Sequence, residues 1–133
     1  MTKLLLMLMM VSMWSGCGRE VVKENKNGVL YEEYEVYRDG TNKKLIRDGY
    51  YRQYYPNKGY KIEGNFEQGK ADGKWVWYRQ NGTKEKEENY KDGIKEGKWV
   101  EYFTDGDPKI EGIYKNGRKD GKWVTYGADP CNE

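Results

Sequence analysis

The sequence predicts an all-β fold, an elongated single-layer stack of antiparallel β-hairpins. Three observations predict it. First, the stretch Asp72 to Tyr78 (Asp-Gly-Lys-Trp-Val-Trp-Tyr) returns as Glu96 to Tyr102 and as Asp120 to Tyr126, with Gly73, Gly97 and Gly121 spaced by 24 residues. A fixed period of roughly 20 to 50 residues marks a repeat architecture. Asp48 to Tyr54 holds the same register one period upstream, with Tyr51 in place of the first Trp. Second, an aromatic pair spaced by three recurs as Tyr34/Tyr37, Tyr51/Tyr54, Trp75/Tyr78, Trp99/Tyr102 and Trp123/Tyr126. In a strand that spacing puts the two rings on opposite faces, which suits a single layer better than a sandwich. Third, there are 17 Gly in 133 residues, roughly double the usual ~7%, so the chain turns often.

Length and composition narrow the function classes. The chain is long enough for one domain. Its net charge is +2, from 24 basic and 22 acidic residues, which argues against a dedicated nucleic-acid surface. Charged residues make up 35% of the chain and the mean hydropathy is -1.14, so a thick apolar core is not expected. Thirteen Tyr, five Trp and two Phe are too many aromatics for a disordered segment. There is no His, the commonest general base and metal ligand. The two cysteines, Cys17 and Cys131, form no Cys-x-x-Cys pair. No Ser or Thr sits in a nucleophile-elbow pattern, and nothing places two carboxylates together in a buried site. The expectation is a protein that is not an enzyme and takes no cofactor.

Residues 1–16 read as an export signal. Met1-Thr2-Lys3 is a short positive start, Leu4 to Met13 is a nearly unbroken apolar run, and Ser15-Gly16-Cys17 follows. The run is too short for a transmembrane span, which needs about 20 residues, and it fits the apolar region of a secretory signal. Ser15, Gly16 and Cys17 resemble the last three positions of a bacterial lipobox, with Trp14 where an aliphatic residue is usual. The resemblance implies lipid attachment at Cys17 and cleavage on its amino side. Two or more acyl chains anchor stably, so the expected address is a bacterial membrane, facing the periplasm or cell surface. Gly18 after the cysteine favours the outer membrane in cells that have one. The open alternatives are plain secretion with Cys17 and Cys131 joined as a disulfide, and no export. Residues 17–27 read as a flexible tether.

Residues 28–127 read as the repeat domain. The first unit, Gly28 to Asp48, is irregular in length and reads as a cap. Lys61 to Glu67 alternates as a half-buried strand does. Gln68 to Gly73, with two glycines four apart, reads as a turn, Lys74 to Arg79 as the return strand, and Asn81-Gly82 as a hairpin turn. The next units follow this plan through Tyr90, Asp92-Gly93, Tyr102 and Asp105-Gly106, then Ile110 to Tyr114, Asn116-Gly117 and Tyr126. Gly64 and Gly112 share a strand face with Ile62 and Phe66 or Ile110 and Tyr114, and a glycine there leaves room for a ring to lie on the backbone. Trp indoles are therefore expected over Gly64 and Gly112. The unit with Glu88 at that position is expected to pack differently. Residues 128–133 read as a frayed tail.

This pattern resembles the MORN-repeat family over Gly28 to Gly127, and its Gly-Lys-Trp-x-x-Tyr form is similar to the bacterial variant labelled YwqK. The resemblance implies a repeat protein that acts through protein contacts, membrane association or scaffolding. The leading expectation is a membrane-anchored interaction module in the bacterial envelope, monomeric, binding a protein partner or a glycan. The alternative that the family label implies is an antitoxin-like protein that neutralises a partner toxin.

The candidate binding surface is Trp75, Trp77, Trp99 and Trp123 with Lys74, Lys98 and Lys122. Trp and Tyr are common interface anchors, though the same Trp residues also serve as rungs of the stack. The lysines suit an anionic lipid surface or an acidic partner, and equally a solvated edge that blocks strand pairing. Trp77 stands apart, because Glu101 and Thr125 hold its register position elsewhere; it is the expected exposed contact. Lys84 to Glu88, with alternating charges, reads as a solvated edge strand. Asp48, Asp72, Glu96 and Asp120 precede turn glycines and read as turn chemistry rather than as Ca²⁺ ligands, because no loop offers six or more oxygens.

Overall fold

The computed structural model describes residues 10–11, 18–38, 40 and 44–127. Among these, eleven strands form one sheet. They are β1 (Met10–Val11), β2 (Arg19–Lys26), β3 (Val29–Arg38), β4 (Leu45–Tyr54), β5 (Tyr60–Glu67), β6 (Lys70–Tyr78), β7 (Lys84–Lys91), β8 (Ile94–Lys95), β9 (Gly97–Tyr102), β10 (Pro108–Lys115) and β11 (Arg118–Thr125). Strands adjacent in sequence are adjacent in the sheet, and every pairing is antiparallel; β8 and β9 both pair with β7. The fold class is the expected one, all-β and single-layered.

Two kinds of turn alternate. The tight turns are Asn27-Gly28, Gln68-Gly69, Asp92-Gly93 and Asn116-Gly117, with φ of 55° and 78°, 49° and 83°, 51° and 80°, and 49° and 77°. Positive φ at both central residues is the type I′ geometry that matches strand twist. Each later tight turn also hooks onto the unit before it: Gly69 N–H donates to the Arg47 carbonyl, Gly93 to Ala71 and Gly117 to Lys95. Three other connections, 55–59, 79–83 and 103–107, have five residues and close with backbone bonds from Tyr55 to Gly59, Arg79 to Thr83 and Phe103 to Asp107. Inside them Asn57, Asn81 and Asp105 each accept the N–H two residues on, at 3.0, 3.0 and 3.1 Å.

This corrects two expectations. Asn81-Gly82 belongs to a five-residue loop and is not a two-residue turn. The turn read at Gln68 to Gly73 is Gln68-Gly69 alone, and Lys70 to Gly73 already belong to β6. Gly73 and Gly121 have φ of 71° and 62° and sit in bulges. Between β5 and β6 the register jumps from Glu63↔Val76 to Asn65↔Asp72, so residues 73–75 face Gly64 alone. Residues 121–123 face Gly112 in the same way. The recurring Asp-Gly-Lys-Trp is therefore a bulge that sends the indole back over the neighbouring strand.

A third correction concerns the tether. Arg19 to Lys26 form β2, paired with β3 from Arg19↔Tyr37 to Lys26↔Val29. Val22 is 2% exposed and Val36 1%: two β-branched residues in adjacent strands hold this end of the sheet despite the charged composition around them. Inside the segment read as an export signal, β1 pairs with β2 through Met10↔Lys23 and Val11↔Val22. The rest of that segment, Cys17, expected to carry lipid, and the tail with Cys131 lie outside the described residues.

Candidate interaction surface

Each face of the sheet carries its own column of side chains. On the first face Tyr34 stacks on Tyr51 (6.3 Å between ring centroids), Tyr51 on Trp75 (5.5 Å), and Trp75 leans on Trp77 (6.2 Å). Phe66 meets both Tyr51 and Trp75 edge-on. Further along, Trp99 and Trp123 are 5.2 Å apart. On the second face Tyr60 lies between Tyr54 and Tyr78. Both faces thus carry aromatics, as the spacing of three implies.

The Trp indoles do lie on the two glycines. A Cβ built at Gly64 would stand 2.2 Å from Trp75 Cδ2, and one at Gly112 would stand 2.3 Å from Trp123 Cδ2. Trp75 Nε1 also donates to the Asn65 carbonyl at 3.2 Å. In the middle unit Glu88 takes the glycine's place. Its carboxylate accepts Trp99 Nε1 at 3.0 Å, pairs with Lys86 at 2.9 Å and Lys95 at 3.2 Å, and accepts the Tyr90 hydroxyl. Glu88 is 2% exposed. Burial pushes its pKa up, but the bonds from Tyr90, Lys86, Trp99 and Lys95 outweigh burial and hold it at about 2. A charged hub therefore separates the aromatic column into the Tyr34–Trp77 run and the Trp99–Trp123 pair.

The second face repeats a three-part contact that sequence reasoning missed. Glu63, Glu87 and Glu111, spaced by 24 residues, each take a cation from the preceding strand and a tyrosine hydroxyl from another unit position. Glu63 meets Arg52 (3.5 Å) and Tyr78 (2.9 Å). Glu87 meets Lys74 (3.5 Å), with the Tyr102 hydroxyl facing it. Glu111 meets Lys98 (3.3 Å) and Tyr126 (2.6 Å). Burial and the bond to Glu63 push the Tyr78 hydroxyl up to about 12. Glu87 is lowered although burial opposes it, chiefly by Lys84. The period of the three glutamates was the signal available in the sequence.

These contacts relocate the candidate residues. Trp75 is 7% exposed and is a rung, not a contact residue. Trp77 is half-buried beside it, with the Lys86 ammonium 4.1 Å from its ring centre, so it is not the freely exposed anchor expected. Trp99 and Trp123 are half-buried. Lys74, Lys98 and Lys122 share the second face with the glutamate column, so the four Trp and three Lys do not form one surface. Lys84 to Glu88 lie in or beside the centre of the sheet, in β7 between β6 and β9, and not at an edge. They tolerate that place because Glu87 and Glu88 point to opposite faces and each finds lysines there. Carboxylates held ionised in this way do not suit a general acid. Asp48 accepts the Gln68 N–H at 3.3 Å and Glu96 the Asn116 N–H at 2.6 Å, which is turn chemistry carried between units.

One concavity was not singled out from the sequence. Tyr31, Tyr54, Tyr55 and Pro56 line a cleft of about 390 Å³ together with Lys26 and Lys61, whose ammonium groups lie 6.0 and 5.8 Å from the Tyr31 and Tyr55 rings.

The repeat can now be bounded. A unit runs from one tight turn to the next, through a strand with its bulge, a five-residue loop and the return strand. Residues 71–92 and 95–116 match the MORN repeat variant. These two matches begin and end at the tight turns, one unit apart. No curated protein and no solved structure matches the chain. The matched stretch runs from β6 to β10, and Gly112 with Trp123 continues the ring-on-glycine contact beyond it.

Proposed function

We propose that the chain is a non-catalytic, membrane-anchored interaction module that presents its sheet to a protein partner in the bacterial envelope. The observation that carries the interaction reading is the repeat itself: MORN-type units whose carboxylates, hydroxyls and indoles are used in holding one unit to the next. What remains for a partner is shape, exposed rings and unmatched charge. The anchor rests on Ser15-Gly16-Cys17 after the apolar run. With β2 starting at Arg19, lipid at Cys17 would put β2 beside the membrane with no long leash.

Fatty-acid labelling with membrane fractionation of the wild type beside Cys17→Ala tests this reading. Label that disappears in the variant supports the anchor and directs the partner search to the envelope. A soluble, unlabelled, full-length chain rejects the anchor and favours the antitoxin-like alternative.

A further inference from the structure

The second-face column has a cation whose place in the pattern is incomplete. Lys74 of β6 reaches Glu87 on β7, and Lys98 of β9 reaches Glu111 on β10. Lys122 holds the same register position on β11, 24 residues after Lys98. Among the described residues β11 has a neighbour on one side only, β10, and Lys122 makes no ion pair. The same end carries an apolar side chain that the repeat does not require. Ile113 stands where the other units have Asn65 and Asn89, and it is 52% exposed. It borders a hollow of about 310 Å³ with Lys98, Lys122 and Val124.

We propose that the outer edge of β11 is a docking edge for an acidic, extended strand of a partner protein, with a glutamate of that strand paired to Lys122. Strand addition supplies main-chain hydrogen bonds and lets alternate side chains give specificity. The charge of the edge selects the occupant. β11 carries Arg118, Lys119 and Lys122 against the single anion Asp120, all exposed. Two copies of β11 paired antiparallel would bring these cations together, and like charges on facing strands destabilise a sheet. An acidic strand continues the Lys–Glu rule of the two preceding pairs, and the hollow beside Ile113 receives one of its apolar side chains. This deepens the interaction reading above and rests on it, but does not require the lipid anchor.

The test uses the full chain in mild detergent and a synthetic peptide copied from residues 84–91, the strand that follows β6 in the array. Lys84→Thr, Lys86→Thr and Lys91→Thr make that peptide acidic while keeping Glu87, and Asn89→Leu gives it an apolar side chain on the Glu87 face. Hydrogen exchange of the β11 amides that point away from β10 is followed as peptide is added. The expected result is protection of β11 that saturates. Lys122→Glu weakens binding by about tenfold or more, and a peptide with Glu87→Lys restores it, as exchanged charges should. Absence of protection, or binding indifferent to the Lys122 charge, overturns the proposal. So does slow exchange of those outward amides before peptide is added, which would mean that residues 128–133 or a second copy already cover the edge. Lysine reversal sits on an exposed side chain, and an unchanged melting curve separates a lost contact from a lost fold. Fatty-acid label with no peptide binding would reject this edge and leave the anchor standing.

Discussion

The Trp75 indole lies flat on the backbone of Gly64, so close that a methyl group at that glycine would overlap the ring, 2.2 Å from Cδ2. The bulge at residues 73–75 brings the indole there, and the Nε1 bond to Asn65 fixes its tilt. Ring and backbone are one packing unit. Gly64→Ala must displace a 7% exposed indole that also stacks on Tyr51 and meets the edge of Phe66. Overpacking of this kind costs typically about 1–3 kcal/mol, sometimes more, and urea midpoints will show whether Gly64→Ala falls in or above that range.

Gly73→Ala separates packing from backbone strain. Gly73 has φ of 71° and nothing within 4 Å of a built Cβ. Only the left-handed conformation penalises the substitution, at about 1–2 kcal/mol. Gly64→Ala is therefore expected to be the more damaging of the two in the same urea titration. The reverse order would mean that the indole does not rest on Gly64.

Glu88 makes stability depend on acid. Its folded pKa is about 2, below the ordinary 4.5. A depressed carboxyl contributes stability that is complete above the unfolded value and is lost as pH falls through the folded one. The loss belongs between pH 4.5 and about 2 and is on the order of 3 kcal/mol. Glu33 and Glu87 are also lowered and add to it in the same direction. Thermal melts across that range should show a falling midpoint, and a flat profile would contradict the network around Glu88.

Glu88→Gly and Glu88→Gln should part company. The first installs the residue found at positions 64 and 112, and Trp99 can then lie on the backbone as Trp75 and Trp123 do. Both variants leave Lys86 and Lys95, about a third exposed, to turn to solvent. The second keeps the volume, so it holds Trp99 off the backbone. A neutral amide then replaces the charged acceptor of Trp99 Nε1 and the Tyr90 hydroxyl in a site 2% exposed, where hydrogen bonds to charged groups are worth about 1.5–3 kcal/mol. The glycine variant is expected to melt cooperatively with a weaker acid dependence, and the glutamine variant at a clearly lower temperature.

Trp99→Ala should unfold the array. The substitution removes the ring that stacks on Trp123 at 5.2 Å and the donor to Glu88 at 3.0 Å. Truncating a fully buried aromatic costs about 3–5 kcal/mol. Trp99 is half-buried, but its loss also takes a donor from Glu88, and a loss near the lower end of that range is much of the stability of a small domain. Trp77→Ala removes a half-buried ring that the other units replace with Glu101 and Thr125, and a cooperative transition near the wild-type midpoint is expected. Near-equal losses at both positions would mean that register does not decide which indoles are structural.

The sequence carried the fold because its signals are periodic. Gly64, Gly112 and the Trp residues repeat in register, so the ring-on-glycine contact could be read before any coordinates, as could the different packing at Glu88. What was not legible has physical causes. Gly73 and Gly69 look alike in a string, but only the backbone shows that one lies in a bulge and the other in a type I′ turn. Lys84 to Glu88 read as a solvated edge because charge alternation is the usual edge signature; the matching cations, Lys74 and Lys95, come from other strands. Trp and Lys adjacent in Gly-Lys-Trp read as one surface, yet neighbours in a strand point to opposite faces. Arg19 to Lys26 read as a tether because only Val21 and Val22 interrupt the charged and polar residues, and pairing with β3 supplies what composition does not.

The most direct test is the proton chemical shift of the glycine α-hydrogens in the folded chain. Gly64 and Gly112, each under an indole, should show α-proton resonances displaced far upfield by the ring current. Those of Gly73 and Gly82, with open space around them, should stay at ordinary positions. Trp75→Leu should return the Gly64 signal to the ordinary range and leave Gly112 displaced. Ordinary shifts for all four glycines in a folded protein would contradict the stacking on which this account of the array depends.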